Sequence, residues 1–251
     1  MTVRELDETT LRALEERALN AWPALQTALC DGWLLRFAGG HTKRANSANA
    51  LFPGPAFTEV LRAADALYRA NGLPPVFRLS PLAGPEPEAM LSAAGFRRAD
   101  DSLVMTAPIP PDAQPDPGLS LSPVPSDAWS DGFAQLQRIR PERRVIHDRM
   151  LASIRHPAAF AVLMEEGRPA AYGIGVLERG MVGLFDIVTD PVRRRRGFAT
   201  RLVTGLLSWG RAQGAESAYL QVLAGNEPAL ALYRRLGFRE AYRYHYRIAP
   251  R

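Results

Sequence analysis

The chain has 251 residues, of which 47% are hydrophobic and 23% charged, a balance typical of soluble globular proteins and too apolar for wholesale disorder. It contains no run of about 18 apolar residues and its first 22 residues lack an apolar signal core, so we expect neither a membrane span nor export, and hence a cytoplasmic protein. A single cysteine and four dispersed histidines exclude an internal disulfide and predict no metal site.

The formal net charge of +5 is divided unevenly along the chain. Residues 1–118 carry 11 basic and 14 acidic side chains, whereas residues 119–251 carry 20 basic and 12 acidic ones. We therefore expect an anionic ligand in the second half. The segment 108–118 has five prolines, which exclude a strand or helix interior. It predicts an extended linker between a domain over 1–107 and a domain over 119–251.

In the first half, hydrophobic periodicity predicts alternating helices and strands. In chain order these are a helix-like segment over 1–22, strands over 33–38 and 44–51, a helix over 57–72, a strand over 75–81, a short helix over 86–96 and a strand over 97–109. The polar segment Gly39–Ser47 is the most unusual part of this half. It is interpreted as a polar hairpin, with the lining of a substrate pocket as the alternative.

The second half continues the alternation. Its predicted elements are helices over 127–139 and 143–156, strands over 158–167, 168–180 and 181–189, a helix over 197–211, a strand over 215–223, a short helix from Asn226 to Gly237 and a strand over 239–250. The sequences of 84–105 and 225–246 both run Gly-x-Glu-Pro, short helix, Gly-Phe, strand. This similarity suggests an internal repeat.

The segment 190–200 carries the clearest chemical signal. Four consecutive arginines and two small residues, Gly197 and Ala199, lie where a buried strand turns into an amphipathic helix. The first amides of a helix have no intrahelical partner and point outward at the positive end of the helix dipole. The segment therefore predicts a site for a diphosphate. A solvated basic run is the alternative, but it does not explain the position at a strand–helix junction.

Two motifs resemble those of the GNAT N-acetyltransferase superfamily. They are Arg194-x-x-Gly197-x-Ala199 and Asn226-x-x-Ala229-x-x-x-Tyr233-x-x-x-Gly237-Phe238, in the order and with the intervening strand that the family has. The resemblance covers about residues 119–250. It implies an α/β (α+β) fold with a mixed, splayed central sheet flanked by helices, and the repeat implies a tandem of two GNAT-like domains. The first domain is expected to be degenerate, because residues 52–56 (FPGPA) stand where the arginine–glycine turn would be.

The resemblance also implies roles for individual residues. The turn that binds the pyrophosphate of acetyl-CoA corresponds to Arg194, Arg195, Arg196, Gly197, Phe198, Ala199 and Thr200. The strand backbone that holds the pantetheine arm corresponds to Ile187, Val188 and Thr189, and a further cofactor contact to Asn226. Tyr233 matches the tyrosine that protonates the departing thiolate. A tyrosine packed in the core is the alternative interpretation of that residue.

The general base is less clearly indicated. Asp186 is a lone carboxylate inside an apolar strand, where a charge is costly unless it is functional, paired or exposed at an edge. Glu178, at the end of the preceding strand, is the other candidate. Many members of the superfamily carry a glutamate further upstream in the strand, near the position of Gly183, so a chain of water molecules is a third possibility.

The expected activity is transfer of an acetyl group from acetyl-CoA to a primary amine of a small molecule or peptide, by direct attack in a ternary complex. Acetyl-CoA would be a co-substrate, and no metal would take part. One alternative is an acyl-CoA sensor without turnover. A nucleic-acid-binding module that uses the arginines at 193–196 is another, although the sequence contains nothing similar to a helix-turn-helix or an RNA-recognition motif.

Overall fold

The computed structural model describes residues 6–54 and 57–250. Within this part of the chain no helix is long and apolar enough to cross a membrane. The same residues contain no group of three His, Cys, Asp or Glu side chains that could hold a metal ion.

The described residues form seven α-helices and eleven strands. In chain order these are α1 (Glu8–Ala21), β1 (Gln26–Cys30), β2 (Trp33–Phe37), β3 (Ala48–Ala50), α2 (Phe57–Ala70), β4 (Val76–Leu79), α3 (Pro85–Ala93), β5 (Arg97–Pro108), β6 (Leu119–Ser122), α4 (Asp127–Gln137), α5 (Pro141–Ala152), β7 (Ala158–Glu165), β8 (Arg168–Glu178), β9 (Met181–Thr189), α6 (Phe198–Ala212), β10 (Ser217–Leu223), α7 (Glu227–Arg235) and β11 (Arg239–Ile248). They divide into two compact units.

The first unit contains the described residues up to Val104, the segment Leu223–Gly225 and the described residues from Glu240 onward. Its strands lie in the order β1-β2-β3-β4-β11-β5. One face of this sheet packs on α2 through the rings of Trp33 and Phe57, whose centroids are 5.2 Å apart. These two aromatic side chains lie in contact because the short strand and the helix must bury their apolar faces against each other.

The second unit comprises Met105–Val222 and Asn226–Arg239, and its strands lie in the order β10-β9-β8-β7-β6. Helix α6 crosses over between β9 and β10, which pair in parallel. Its buried residues include Leu202, Val203 and Leu206, at the helical spacing that the sequence predicts for one apolar face. This crossover places the N-terminus of α6 beside the carboxyl end of β9.

The predicted internal repeat is present in the fold. Each unit has two parallel strands joined by a crossover helix: β3 and β4 around α2, and β9 and β10 around α6. Each then has a short helix followed by a glycine with positive φ, Gly95 (+77°) or Gly237 (+88°). A buried phenylalanine, Phe96 or Phe238, comes directly after it. The two halves of the sequence therefore follow one plan.

The last strand departs from the domain boundary that the sequence predicts. Strand β11 belongs to the first unit, where it pairs antiparallel with β4. It contributes the tyrosine hydroxyl that bonds to buried Glu15, and its Tyr244 ring lies 3.7 Å from the Arg78 guanidinium. Glu15 and Arg78 themselves form a buried ion pair. Because these side chains complete each other's contacts, residues from Glu240 onward fold with the first unit and not with the domain over 119–251.

Other differences are local. The strand expected over 44–51 is only three residues long, because the Asn46 side chain accepts the amides of Ala38 and Gly40 and donates to Thr42. These bonds close the polar segment on itself, around a 3-10 turn at Lys43–Ala45. Strands β1 and β6 are not predicted; they are only five and four residues long and their side chains are mostly exposed, so the pattern in each is too short to stand out.

Candidate functional site

Strands β9 and β10 separate halfway along their length. Their parallel pairing ends at Leu184 and Leu220. On the other edge of β9, the two residues Asp186 and Ile187 stand opposite the single Gly173, which makes a β-bulge, and Asp186 has a φ of +50°. A bulge bends its strand and increases the local twist. The backbone of β9 beyond Leu184 therefore faces a gap between the two strands.

A tight corner connects β9 to α6. The Asp190 carboxylate accepts the Val192 amide at 3.0 Å and closes a short 3-10 turn. Arg195 and Gly197 then adopt left-handed φ values of +62° and +81°. No side chain caps α6, and the amides of residues 194–200 have no acceptor among the described residues. The 15-residue helix thus presents several unused donors at the positive end of its dipole.

The arginines of the corner are arranged in two ways. Arg193 and Arg196 each lie 3.5 Å from a carboxylate oxygen of Glu166, in the β7–β8 turn. Arg194 and Arg195 are exposed and make no ion pair with the part of the chain that the structure describes. Two full positive charges are therefore available to an anion that also meets the amides of the corner.

Arg201, one turn into α6, fixes the position of the corner. Its guanidinium bonds to Asp116 at 2.7 and 3.0 Å and to Glu165 at 2.6 Å. These hydrogen bonds lower the pKa of both carboxyls below their ordinary values, so they stay ionised near neutral pH. The end of the proline-rich segment and the end of β7 are thereby tied to the start of α6.

A cavity of about 540 Å³ opens between this corner, the free end of β9 and α7. The sequence-predicted residues that line it are Ile187, Thr189, Arg194, Arg195, Arg196, Gly197, Phe198, Ala199, Thr200, Asn226 and Tyr233. Val188 is not part of its wall, because successive side chains of a strand point to opposite faces. The wall also includes Arg193, Pro228, Ala229, Leu232 and Arg235, which were not among the predicted site residues.

Helix α7 contributes two polar groups to the cavity. Asn226 caps the helix by accepting the Ala229 amide at 3.3 Å, which leaves its own amide nitrogen able to donate. Tyr233 is buried edge-on against Phe238, with ring centroids 5.8 Å apart. Burial raises the pKa of Tyr233 to about 12. Its hydroxyl therefore keeps its proton throughout the physiological pH range.

Asp186 does not line the cavity. Its Oδ2 lies 2.8 Å from Nε2 of His147, a buried residue of α5 that stacks on Phe133. Ile187, the next residue, faces the cavity instead. The bulge thus directs one side chain to each face of the sheet, with Asp186 on the α5 side of the gap and Ile187 on the α6 side.

Glu178 and the position of Gly183, the other places where a general base was considered, lie further from the bulge or have no room for a side chain. Glu178 pairs with Met181 at the turn end of β8 and β9, and its carboxylate lies 3.0 Å from Arg179 and 3.4 Å from His156. Five residues of strand, about 16 Å, separate that turn from Asp186. Gly183 has no room for a side chain, since a Cβ there would lie 2.6 Å from the Tyr219 ring.

Besides Arg193, which belongs to the arginine run singled out in the sequence, His147 and Arg235 are the polar residues of the site that sequence reasoning missed. His147 lies on the buried face of α5, three and four residues before Met150 and Leu151. Helical periodicity could have shown this, although it could not have named Asp186 as the partner. Arg235 follows the Tyr233 motif by two residues and carried no separate signal.

Comparisons with known proteins agree with this architecture. A family model described as "Probable histone acetyltransferase Rv0428c C-terminal" matches residues 9–247. The chain is 29% identical over 243 residues to the uncharacterised N-acetyltransferase YobR of Bacillus subtilis, covering 95% of this chain and 98% of that protein.

Two solved structures have the same fold at low sequence identity. A GCN5-related N-acetyltransferase from Kribbella flavida superposes with a TM-score of 0.71 at 16% identity, over 98% of this chain and 96% of that one. A tandem GNAT protein from the clavulanic acid biosynthesis pathway gives a TM-score of 0.62 at 17% identity, over 99% and 89% of the two chains. Both matches span the two units of this chain.

Proposed function

Because the chain belongs to the Rv0428c C-terminal family of the GNAT N-acetyltransferase superfamily, we propose that it transfers an acetyl group from acetyl-CoA to a primary amine. The acceptor would be a small molecule or a peptide that attacks directly in a ternary complex. The second unit carries the proposed site, since it has the open strand gap, the basic corner and the cavity with Tyr233.

The residues of the corner fit the diphosphate of acetyl-CoA. The unused amides of residues 194–200 supply several donors in one small volume, and Arg194 and Arg195 supply charge. Phosphate oxygens accept such donors well at a helix N-terminus. The backbone of Ile187 and Thr189, which line the cavity beyond the point where β9 leaves β10, would hold the pantetheine arm, and the amide nitrogen of Asn226 would donate to it from the opposite wall.

Acetyl-CoA supplies an activated acetyl group, and the protein must handle two protons. A primary amine has a pKa of about 10 and attacks only in its neutral form, after its ammonium proton has left to solvent, and its nitrogen then loses a second proton that a group at the gap has to accept. We assign this role to Asp186, on the α5 side of the bulge. Tyr233, which retains its proton because burial raises its pKa to about 12, would donate to the departing sulfur.

The observation that carries this proposal is the convergence of unused amides and unpaired arginines on a cavity that also contains a protonated tyrosine. A solvated basic run has no need of a cavity. A nucleic-acid surface has no need of a buried phenolic hydroxyl beside the basic residues.

Two measurements test the proposal. Calorimetry with acetyl-CoA should give saturable heat at one site per chain, and thiol release should then accelerate with at least one member of a panel of primary amines. Binding without any turnover would favour an acyl-CoA sensor. Absence of binding together with salt-dependent affinity for nucleic acid would contradict the proposal and favour the nucleic-acid module.

A further inference from the structure

One contact joins the side chains of His147 and Asp186. Oδ2 of Asp186 lies 2.8 Å from Nε2 of His147, where a carboxylate oxygen accepts a hydrogen bond from the Nε2–H form of the imidazole. The bond occupies Oδ2 of Asp186 and leaves Oδ1 for another donor. The Asp186 side chain is 14% exposed, whereas the His147 side chain is 3% exposed. Asp186 is therefore the more exposed member of the pair.

The backbone of Asp186 needs a support of this kind. Its φ of +50° is a left-handed conformation inside a β-strand, which is strained for a residue other than glycine. Aspartate tolerates it better than most residues, but only surrounding contacts keep it populated. The hydrogen bond from His147 is such a contact, and the stacking on Phe133, with ring centroids 5.1 Å apart, fixes the imidazole itself.

Asp186 differs from three other carboxylates of this unit in that its partner is a histidine and not an arginine. Asp131 and Asp148 both contact the guanidinium of Arg144, and Asp116 contacts that of Arg201. A guanidinium favours the charged form of a carboxylate and so weakens it as a proton acceptor, as the lowered pKa of Asp116 illustrates. The imidazole of His147 contacts Asp186 through one nitrogen, whereas the guanidinium of Arg201 makes two hydrogen bonds to Asp116.

From this geometry we infer that His147 is the positioning residue for proton acceptance by Asp186. The inference rests on the proposed function. As the acetyl carbon forms its bond to nitrogen and its bond to sulfur breaks, the nitrogen loses one proton to Oδ1 of Asp186. The sulfur keeps the electron pair of the broken bond and takes the proton of Tyr233. Both residues afterwards exchange with solvent to regain their starting states.

A double-mutant cycle tests the role of His147 through Asp186. His147→Leu should lower kcat about tenfold and leave the Kd for acetyl-CoA within twofold of the wild type. In an Asp186→Asn background the same change should alter kcat less than twofold, because the group that His147 positions is already gone. An equal loss in both backgrounds would show that His147 acts on the fold and would overturn the inference.

His156→Leu is the matched control. His156 also contacts a carboxylate, that of Glu178 at 3.4 Å, but at the turn end of β8 and β9. We expect its kcat to be unchanged. If His147→Leu does not fold, His147→Gln and His147→Asn replace it. A glutamine amide reaches the position of Nε2 and should keep kcat, whereas an asparagine amide is too short and should not; equal rates for the two variants would contradict the inference.

Imidazole nitrogen NMR gives a reading that does not depend on activity. The chain has only four histidines, so each signal can be assigned by substitution. The His147 signal should correspond to the Nε2–H tautomer and change in Asp186→Leu. An unchanged signal would overturn the inference. If the wild type neither binds acetyl-CoA nor releases thiol, the proposed function fails. If the wild type turns over normally but the effects of the His147 and Asp186 substitutions on kcat simply add, only the role of His147 is contradicted.

Discussion

The two strand-to-helix junctions of this repeated fold use their amides in opposite ways. After β3, the amides of Leu51 and Phe52 both donate to the Gly32 carbonyl, and that of Gly54 donates to Asp31. After β9, the amides of residues 194–200 find no acceptor within the described ranges. The amides of Leu51, Phe52 and Gly54 at the first junction are thus bound by their own chain, whereas the described amides of the second are left as donors for a ligand.

Side chains reinforce this difference. At the first junction Arg12 donates to the Leu51 carbonyl and covers the Phe52 ring at 4.2 Å, so this cation is already engaged. At the second, Arg194 and Arg195 are exposed and unpaired among the described residues. The two copies of one architecture thus differ in the hydrogen bonds at this corner, and we propose on that basis a single acetyl-CoA site, in the second unit.

The largest effect should come from reversing the charge of the open corner. Arg194→Glu with Arg195→Glu should raise the Kd for acetyl-CoA about 1,000-fold, since two charge-assisted hydrogen bonds are worth ~4 kcal/mol together. The control is Arg62→Glu with Arg69→Glu on α2, the equivalent helix of the first unit, where both side chains are exposed. Calorimetry should show no change for the control. Equal losses would indicate a general charge effect.

Removing one hydroxyl should give the next largest effect. Tyr233→Phe should lower kcat about 100-fold, the contribution of one general acid, while the Kd for acetyl-CoA stays within twofold. The first unit offers Tyr68→Phe as control, whose buried hydroxyl contacts the Arg36 backbone at 3.2 Å. That change should reduce the free energy of unfolding by about 1 kcal/mol and leave kcat unaltered. Unchanged turnover in Tyr233→Phe would remove Tyr233 from the acid role.

Substitutions at two glycines should separate an effect on acetyl-CoA binding from an effect on protein stability. Gly197 and Gly95 both have left-handed φ values, +81° and +77°, and a Cβ added to either would meet no atom of the described residues within 4 Å. Alanine at either should therefore destabilise the protein by about 1 kcal/mol through backbone strain alone. Only Gly197→Ala should also weaken acetyl-CoA binding, by about tenfold, because its corner presents the amides. Equal binding by the two variants would contradict the comparison.

Much of the site was predictable because its signal is local in sequence. Arg194, Gly197 and Tyr233 belong to two short motifs, and eleven of the twelve residues predicted to contact the cofactor line one cavity. The alternation of apolar residues gave β9 with its correct ends. Local patterns of this kind are set by neighbouring residues, which is why they can be recognised without a structure.

The rest depended on pairing between distant residues. Strand β11 has the alternation of any half-buried strand, which does not reveal that β4 is its partner. The bulge at Asp186 arises from the register between β8 and β9, and its contact with His147 joins residues 39 apart. Edge strand β6 has too few buried side chains to give a signal. Long-range partners of this kind have no signature in one sequence.

The placement of β11 can be tested through Glu88, which joins α3 to that strand. Hydrogen bonds from Arg247 and then His245 lower the pKa of Glu88 to about 2. Glu88→Gln should therefore reduce the free energy of unfolding by ~0.5–1 kcal/mol at pH 7, a modest loss because the pair is partly exposed.

The sign of the pH dependence follows from the lowered pKa. The stabilisation is complete above the unfolded-state value of about 4.3 and is lost as the pH falls towards 2, so wild type and variant should converge in acid denaturation. Glu240→Gln, which removes a contact with Arg243 on the same strand, is the control and should have little effect. A loss that persists at pH 2 would contradict this account.

The smallest effect should come from the acidic residue that faces the open corner. Glu166 lies 3.5 Å from both Arg193 and Arg196 and competes with an incoming anion for them. Glu166→Gln should strengthen acetyl-CoA binding about two- to threefold at low ionic strength, because exposed pairs are worth only ~0.2–1 kcal/mol. The gain should vanish near 1 M salt, where the Debye length is about 3 Å.

Glu227→Gln, whose partner Arg234 is 3.9 Å away and outside the corner, should show no gain. Weaker binding by Glu166→Gln would mean that this carboxylate holds the two arginines in their binding positions, so that the second junction is organised by its own chain as the first one is.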